Sequence, residues 1–291
     1  MLIKLFTLYV YLQASFCGCH TDRRHSDFVR LRKDYKVKVQ KIGRLDYRIP
    51  ESSGLARASD STFWTHGDSG TPPALYLFNL KGKLLQQVLL PLPNTDWEDL
   101  AQDRQGNLYI GDFGNNANAR KNLQVFRVPT GQAASPDTIR FRFADQAAFP
   151  PPLKDRRYDL EAAFYAHDSL YLFTKSRALR ARTTTRYALP AEKGSYALAP
   201  QESLRLQSPV TAADIAPSQR QFALLGYGRL YLFDIAGEHI SLQGDKYCLP
   251  LGRTGLAEAV LYLSPDSLLI TNEKGNLYLV TLQRKKHNRH F

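Results

Sequence analysis

The residues best equipped for chemistry are carboxylates that recur at the heads of short apolar segments. Asp96-Trp97-Glu98-Asp99 opens one such segment, and Asp112-Phe113-Gly114-Asn115-Asn116 closes the next in glycine and amides. Glu51, Asp159, Glu161, Asp214 and Glu258 repeat the first feature, while His66, Asp68, Lys175, Arg177 and Glu273 fall in loops that match the second. Carboxylates gathered at one place repel one another, so they need a cation, a basic partner or a retained proton. Calcium meets the need with six to eight oxygens drawn from carboxylates, amides and carbonyls. The expected ligands are Glu98, Glu161, Asp214 and Glu258, with Asn115 assisting. The alternative is that these acids pair with Lys175, Arg177 or backbone amides and do nothing else.

A bound ion with an open position would polarise an ester, lactone or phosphate ester and activate water, with His66 as the candidate base. Around it Trp64, Asp68, Trp97, Asp112, Lys175, Arg177 and Glu273 are the candidate ligand-binding residues. Trp64 and Trp97 suit either stacking on a ring or packing between strands. Gly67-Asp68-Ser69-Gly70 imitates a protease nucleophile motif and is rejected, because a triad also needs a positioned His and Asp. The oxygen-rich run after Asp112 lacks the closing Glu of an EF-hand loop, and no His/Cys pattern suits zinc.

Such residues meet only if the segments carrying them end at a common rim. The openings Glu51–Ala56, Asp96–Ala101, Asp159–Phe164, Thr211–Ala216 and Leu256–Leu261 are each followed by a turn and by second and third apolar strands such as Leu170–Thr174 and Arg229–Phe233. Taking Ser53, Glu98, Glu161, Ala213 and Glu258 as equivalent, the steps are 45, 63, 52 and 45 residues, which are propeller-blade lengths. Helical periodicity is almost absent and Tyr and Phe are plentiful, so the chain reads as all-β. The expectation is one β-propeller over residues 37–283 with five four-stranded blades. Six are possible if a degenerate blade lies in 130–158 or 178–210, and a sandwich or two small barrels are the structural alternatives. The last unit lacks a fourth strand and a spare strand precedes Glu51, so the N-terminal strand should close the last blade and hide its edge.

Glu51-Ser52-Ser53-Gly54-Leu55, the stretch 64–70, Asp96–Asp99 and Tyr109–Asn115 resemble exported bacterial propellers of the SdiA-regulated and phytase-esterase-like families. More distantly they are similar to gluconolactonase, strictosidine-synthase and paraoxonase propellers. The chain differs from these at Gly67, where Asn is usual, and at Asn115, where Asp is common. The resemblance implies a propeller fold and a calcium-dependent type of site, and it implies a reaction far less.

The ends read differently from the body. Lys4, the apolar run Leu5–Phe16 and small residues after it form an export signal over 1–19, and Gly18-Cys19 resembles a lipobox with Cys19 as the lipidation site. Residues 20–36 read as a basic polar tether and 284–291 as a basic tail. Residues 1–48 hold 11 Lys/Arg against 4 Asp, and Arg284, Lys285, Lys286 and Arg289 lie at the other end. Of the formal +12, the body 49–283 therefore keeps +1. The charge suits an anionic membrane or glycan surface, and without a basic stripe on the body nucleic acid is discounted. The reading is of a monomer in the bacterial cell envelope as a lipoprotein, or secreted, with an unidentified ligand or surface partner and with Cys248 as a free thiol.

Overall fold

The computed structural model describes residues 28–31, 35–129, 135–176, 183–206, 208–252 and 254–285. The export signal, Cys19 and Arg177 lie outside these. Two strands precede the first blade, β1 (Phe28–Arg30) and β2 (Tyr35–Arg44). Blade 1 is β3 (Gly54–Arg57), β4 (Thr62–His66), β5 (Ala74–Asn79) and β6 (Leu84–Leu89). Blade 2 is β7 (Trp97–Gln102), β8 (Leu108–Asp112), β9 (Leu123–Val128) and β10 (Asp137–Phe143). Blade 3 holds β11 (Asp159–Ala166), β12 (Ser169–Lys175) and β13 (Thr183–Pro190). The chain then departs to lay β14 (Gly194–Leu198) parallel to β10, and it returns as β15 (Glu202–Arg205) to finish blade 3. Blade 4 is β16 (Val210–Ile215), β17 (Gln221–Gly226), β18 (Arg229–Asp234) and β19 (Lys246–Pro250). Blade 5 is β20 (Ala257–Ser264), β21 (Ser267–Asn272) and β22 (Asn276–Arg284).

The inner strands β3, β7, β11, β16 and β20 touch in sequence, and β20 meets β3 to close the ring. β2 pairs antiparallel with β22 from Tyr35↔Arg284 to Arg44↔Asn276, so the N-terminal strand completes blade 5. Five blades form, and the segments that might have held a sixth contribute β10, β13, β14 and β15 instead. Blades 2 and 4 each gain a fifth strand, β14 and β1. Phe28–Arg30 thus lies on a blade edge, paired with Lys246–Cys248, within a segment expected to be a polar tether. Cys248 is disulfide-bonded, with its partner outside the described residues, so it is not the free thiol expected.

Strand alternation sends apolar side chains into the clefts between blades, and each cleft holds its own core. Trp64 and Trp97 pack in the cleft between blades 1 and 2, with Leu108, Ile110 and Phe126. Between blades 3 and 4 Phe164, Phe173, Phe222 and Phe233 form a stack in which the Phe222 and Phe233 rings lie 4.7 Å apart and nearly parallel. Clusters around Tyr158, Leu230 and Phe63 fill the remaining three clefts.

Candidate functional site

Four inner strands break register near their heads. The ladder skips Glu98 and Asp99 in β7, Glu161 in β11, Thr211 in β16 and Glu258 in β20. An unpaired residue in a bulge is re-aimed out of the ladder, and here three of the four bulges carry Glu. The equivalent in blade 4 is therefore Thr211, two residues before the Ala213 expected from spacing. Its hydroxyl donates to the Ala257 carbonyl at 2.8 Å. Asp214, expected among the ligands, lies three positions further along, about 10 Å at strand rise. It accepts from the Tyr262 N–H at 2.6 Å at the opposite rim, and so is separated from the acidic mouth.

At the mouth, Asp68, Asp96 and Glu98 each place a carboxylate oxygen within 4.8 Å of the others. Four hydrogen bonds set this arrangement. Asn94 donates to the Asp68 carbonyl at 2.9 Å and accepts from the Trp97 N–H at 3.1 Å, tying the loop after β4 to the head of β7. The Asp96 N–H donates to Asp112 at 2.9 Å. Gly114 donates to the Asp96 carbonyl at 3.1 Å, and a Cβ there would run into Glu98 Oε1 and the Asp96 carboxyl. The absence of a side chain at Gly114 is what lets the two acids converge beside the backbone.

Glu98 is 91 % buried, at 9 % exposure, and forms no hydrogen bond with a described residue. Burial first, and then the charges of Glu161, Asp68, Asp159 and Asp96, push its carboxyl well above the usual range. Asp68 rises to about 6 through burial, reinforced by Asp96, Glu161 and Glu51, although the Ser69 N–H opposes the shift. Burial raises Asp96 too. These groups resist ionising together without a cation beside them.

The other half of the mouth carries its own counter-charge. Lys175 Nζ lies 2.8 Å from Glu161 in a buried ion pair and 5.4 Å from the centre of the Tyr227 ring. Glu258 lies in the same electrostatic neighbourhood, where burial pushes it well above its usual value while Lys175 pulls it back. Glu161 and Glu258 thus fall on the lysine's side, whereas Glu98 falls with Asp68 and Asp96. Glu273, beside Glu51, completes the rim at its solvent edge, its carboxyl raised by partial desolvation and then by the Glu51 charge. Tyr227, in the loop after β17, was not among the expected residues. The placement rule that singled out the other loops applies to it equally.

Several expected residues build the loops and do not face the mouth. Asp112 is buried with Arg120 at 3.1 Å and Gln124 at 2.8 Å. Asn115 donates to the Tyr158 carbonyl and accepts from the Arg120 N–H, both at 2.9 Å, so its amide is fully engaged and supplies no metal ligand. Trp97 is fully buried and donates to the Pro93 carbonyl at 2.9 Å, so no ligand reaches it, and Trp64 packs beside it between the blades. His66 is also fully buried, edge-on to Trp97, and its Nδ1 donates to the Gly67 carbonyl at 3.0 Å. Burial holds it neutral, with the pKa down at about 4, and no water-accessible face remains for a general base. Asp99 faces the channel, where it accepts N–H groups of Leu100, Ala163 and Ala213 at 2.8, 2.8 and 3.1 Å. Its carboxylate knots blades 2, 3 and 4 together and separates the two ends of the channel.

No family model and no curated protein matches the chain. Solved structures do. The PQQ-bound aldose sugar dehydrogenase of Streptomyces coelicolor is 11% identical, with 85% of this chain and 99% of that one covered and a TM-score of 0.50. A gluconolactonase of Xanthomonas campestris is 14% identical over 84% of this chain and 90% of that one, with a TM-score of 0.47. A virginiamycin B lyase of Staphylococcus aureus is 10% identical over 84% and 99%, with a TM-score of 0.45. At these identities the likeness is one of fold, shared with the aldose sugar dehydrogenase over nearly its whole length.

Proposed function

We propose that the channel mouth binds a divalent cation, calcium by the nature of its donors, through Asp68, Asp96 and Glu98, and that the ion anchors a ligand or partner on that face. The observation that carries this reading is the group of three carboxylate oxygens within 4.8 Å of one another, one of them on a buried Glu98 with no hydrogen-bond partner among the described residues. Two oxygens on one calcium at 2.3–2.6 Å lie at most about 5 Å apart, so the spacing fits a single ion. An all-oxygen, all-carboxylate set favours a hard cation over zinc or copper. Asp68 and Asp96 are only partly buried, which gives ligand or water access to the remaining positions.

The test is thermal unfolding of the protein with calcium and after chelation, together with calcorimetric titration of the ion. Calcium at about 100 times its Kd stabilises the native state by about 2.7 kcal/mol, a rise of roughly 5–10 °C for a domain of this size. Asp96→Asn with Glu98→Gln should abolish the rise and leave the fold intact. An unchanged calcium response in the double variant sinks the reading.

A second reading, a calcium-dependent hydrolase of esters, lactones or phosphate esters, is favoured by the three-carboxylate set. It leaves at least three of calcium's positions to water or substrate, and the fold is one on which an enzyme stands. In that case the chain's own proton carrier at the mouth is Glu258, partly exposed, its carboxyl pushed up by burial and pulled back by the Lys175 charge. Hydrolysis by the wild type that Glu258→Gln lowers by about 100-fold without weakening calcium binding would support it.

Export is part of the proposal, and it rests on Lys4 and the apolar run after it. A disulfide suits an oxidising compartment. It also requires a second cysteine in the mature chain, and cleavage before Cys19 with lipidation of its thiol would leave none. Only a secreted form cleaved ahead of Cys19 with that thiol unlipidated, or ahead of Cys17, keeps a partner for Cys248. The mass of the mature protein decides between the two.

A further inference from the structure

The end of the channel opposite the acidic mouth has no role in the reading above. It opens into a cavity of about 250 Å³ lined from all five inner strands, and the Asp99 knot separates it from the mouth. Its floor is apolar, formed by Leu55, Leu100 and Leu261. Two guanidinium groups stand over that floor. Arg57 spends its Nη2 on the Tyr262 and Leu263 carbonyls and stands 3.9 Å from the fully exposed Asp60. Among the described residues its remaining N–H groups have no hydrogen-bond acceptor. Arg104 is exposed and forms no hydrogen bond or ion pair with a described residue.

The carboxylates facing the same space have hydrogen-bond partners of their own. Asp103 is consumed by its own turn, accepting the Asn107 N–H at 2.8 Å, the Asn107 side chain at 2.6 Å and the Tyr109 hydroxyl at 3.2 Å. Asp214 accepts the Tyr262 N–H. The Tyr165 hydroxyl donates outward to Asp168 at 2.8 Å, and Tyr262 donates to Gln221 at 3.0 Å, so neither phenol offers a competing charge. A small apolar floor under donors in a fork geometry is the usual surrounding of a carboxylate or phosphate group.

We infer that this lower cavity is a second binding site, for a small oxyanion such as a carboxylate or phosphate held between Arg57 and Arg104. The anion binds most tightly when Asp214 keeps its proton. Burial raises that group to about 7, opposed by the N–H groups of Tyr262 and Ile215 and by the Arg57 charge. Above that pH its charge repels the anion, so affinity falls as the pH rises.

The experiment is calorimetric titration of the full chain with sulfate and with lactate, at about pH 6 and pH 8.5, where both probes keep their charge. Saturable one-to-one binding of either at pH 6 is expected, weakened at pH 8.5. Arg104→Gln, an exposed change that leaves the Arg57 carbonyl contacts alone, should weaken binding at pH 6 by at least about tenfold. Asp214→Asn should bind with equal affinity at both pH values, and Asp96→Asn at the far mouth should bind as the wild type does. No saturation by either probe, an affinity unaltered by Arg104→Gln, or a loss of anion binding in Asp96→Asn would each overturn the assignment.

Discussion

Asp68 and Asp214 make the unliganded protein pH-sensitive in a direction opposite to that of a salt-bridged acid. An unfolded Asp loses its proton near 3.8, whereas the folded chain holds it to about 6 at Asp68 and about 7 at Asp214. Folding therefore takes up protons in these windows, and stability falls as pH rises from about 4 to 7. His66 works the other way. Its folded pKa near 4 lies below the unfolded 6.5, so its contribution is lost as pH falls through that interval. The two carboxylates outweigh the one imidazole, and chelated protein should melt at a lower temperature at pH 7.5 than at pH 5.5. Asp68→Asn should raise the stability of chelated protein at pH 7.5 by about 1 kcal/mol after allowance for solvent screening. A denaturant titration of both proteins checks it. Asp99 is the contrasting residue, an acid kept for structure. Asp99→Ala orphans N–H groups in three blades, for a loss of about 3 kcal/mol or more in the same titration. Asp99→Asn keeps one acceptor oxygen and should lose less.

At the level of elements, the site is made by bulges and by one loop. The extra residues at Glu98, Glu161 and Glu258 turn carboxylates toward the mouth. The loop after β8, stapled by Arg120 to Asp112 and to the Gly114 carbonyl, brings Gly114 against Asp96 and Glu98. Gly114→Ala should push those two carboxyls apart and weaken calcium binding by about tenfold or more while the protein stays folded, since the new methyl meets side-chain oxygens at the rim. Titration of calcium alongside circular dichroism separates the two effects. The closing strand offers a test of architecture. Removing residues 1–44 deletes β1 and β2 and bares the β19 and β22 edges, whereas removing 1–27 keeps both strands and all their pairs. The longer deletion should aggregate or lose its cooperative transition, and the shorter one should not.

Across the whole molecule, five clefts with five separate apolar clusters build the ring, and the channel ends differ: the three converging acids at the mouth, and at the opposite rim the guanidinium groups of Arg57, held on the Tyr262 and Leu263 carbonyls, and of exposed Arg104. Five inner strands at near-regular spacing, and a last blade short of a strand, were readable from residue order alone. Side-chain alternation and repeat length are local properties, and edge closure follows from counting strands. The convergence of Glu98 with Asp68 and Asp96, and the departure of Asp214, were not readable. Each depends on where a ladder skips a residue, and one or two positions of slip carry a carboxylate to another rim. Asn115, Asp112 and His66 had suitable chemistry and still went to loop hydrogen bonds and cleft packing: Tyr158 of the next blade claimed Asn115, Arg120 of the same loop and Gln124 of β9 claimed Asp112, and Trp97 of the next blade packed against His66. The sequence by itself determined an all-β ring with acids at one mouth, since periodicity and composition act within a segment. Only the tertiary structure decided which acids share one cation's space, because that depends on distances between blades that no spacing along the chain encodes.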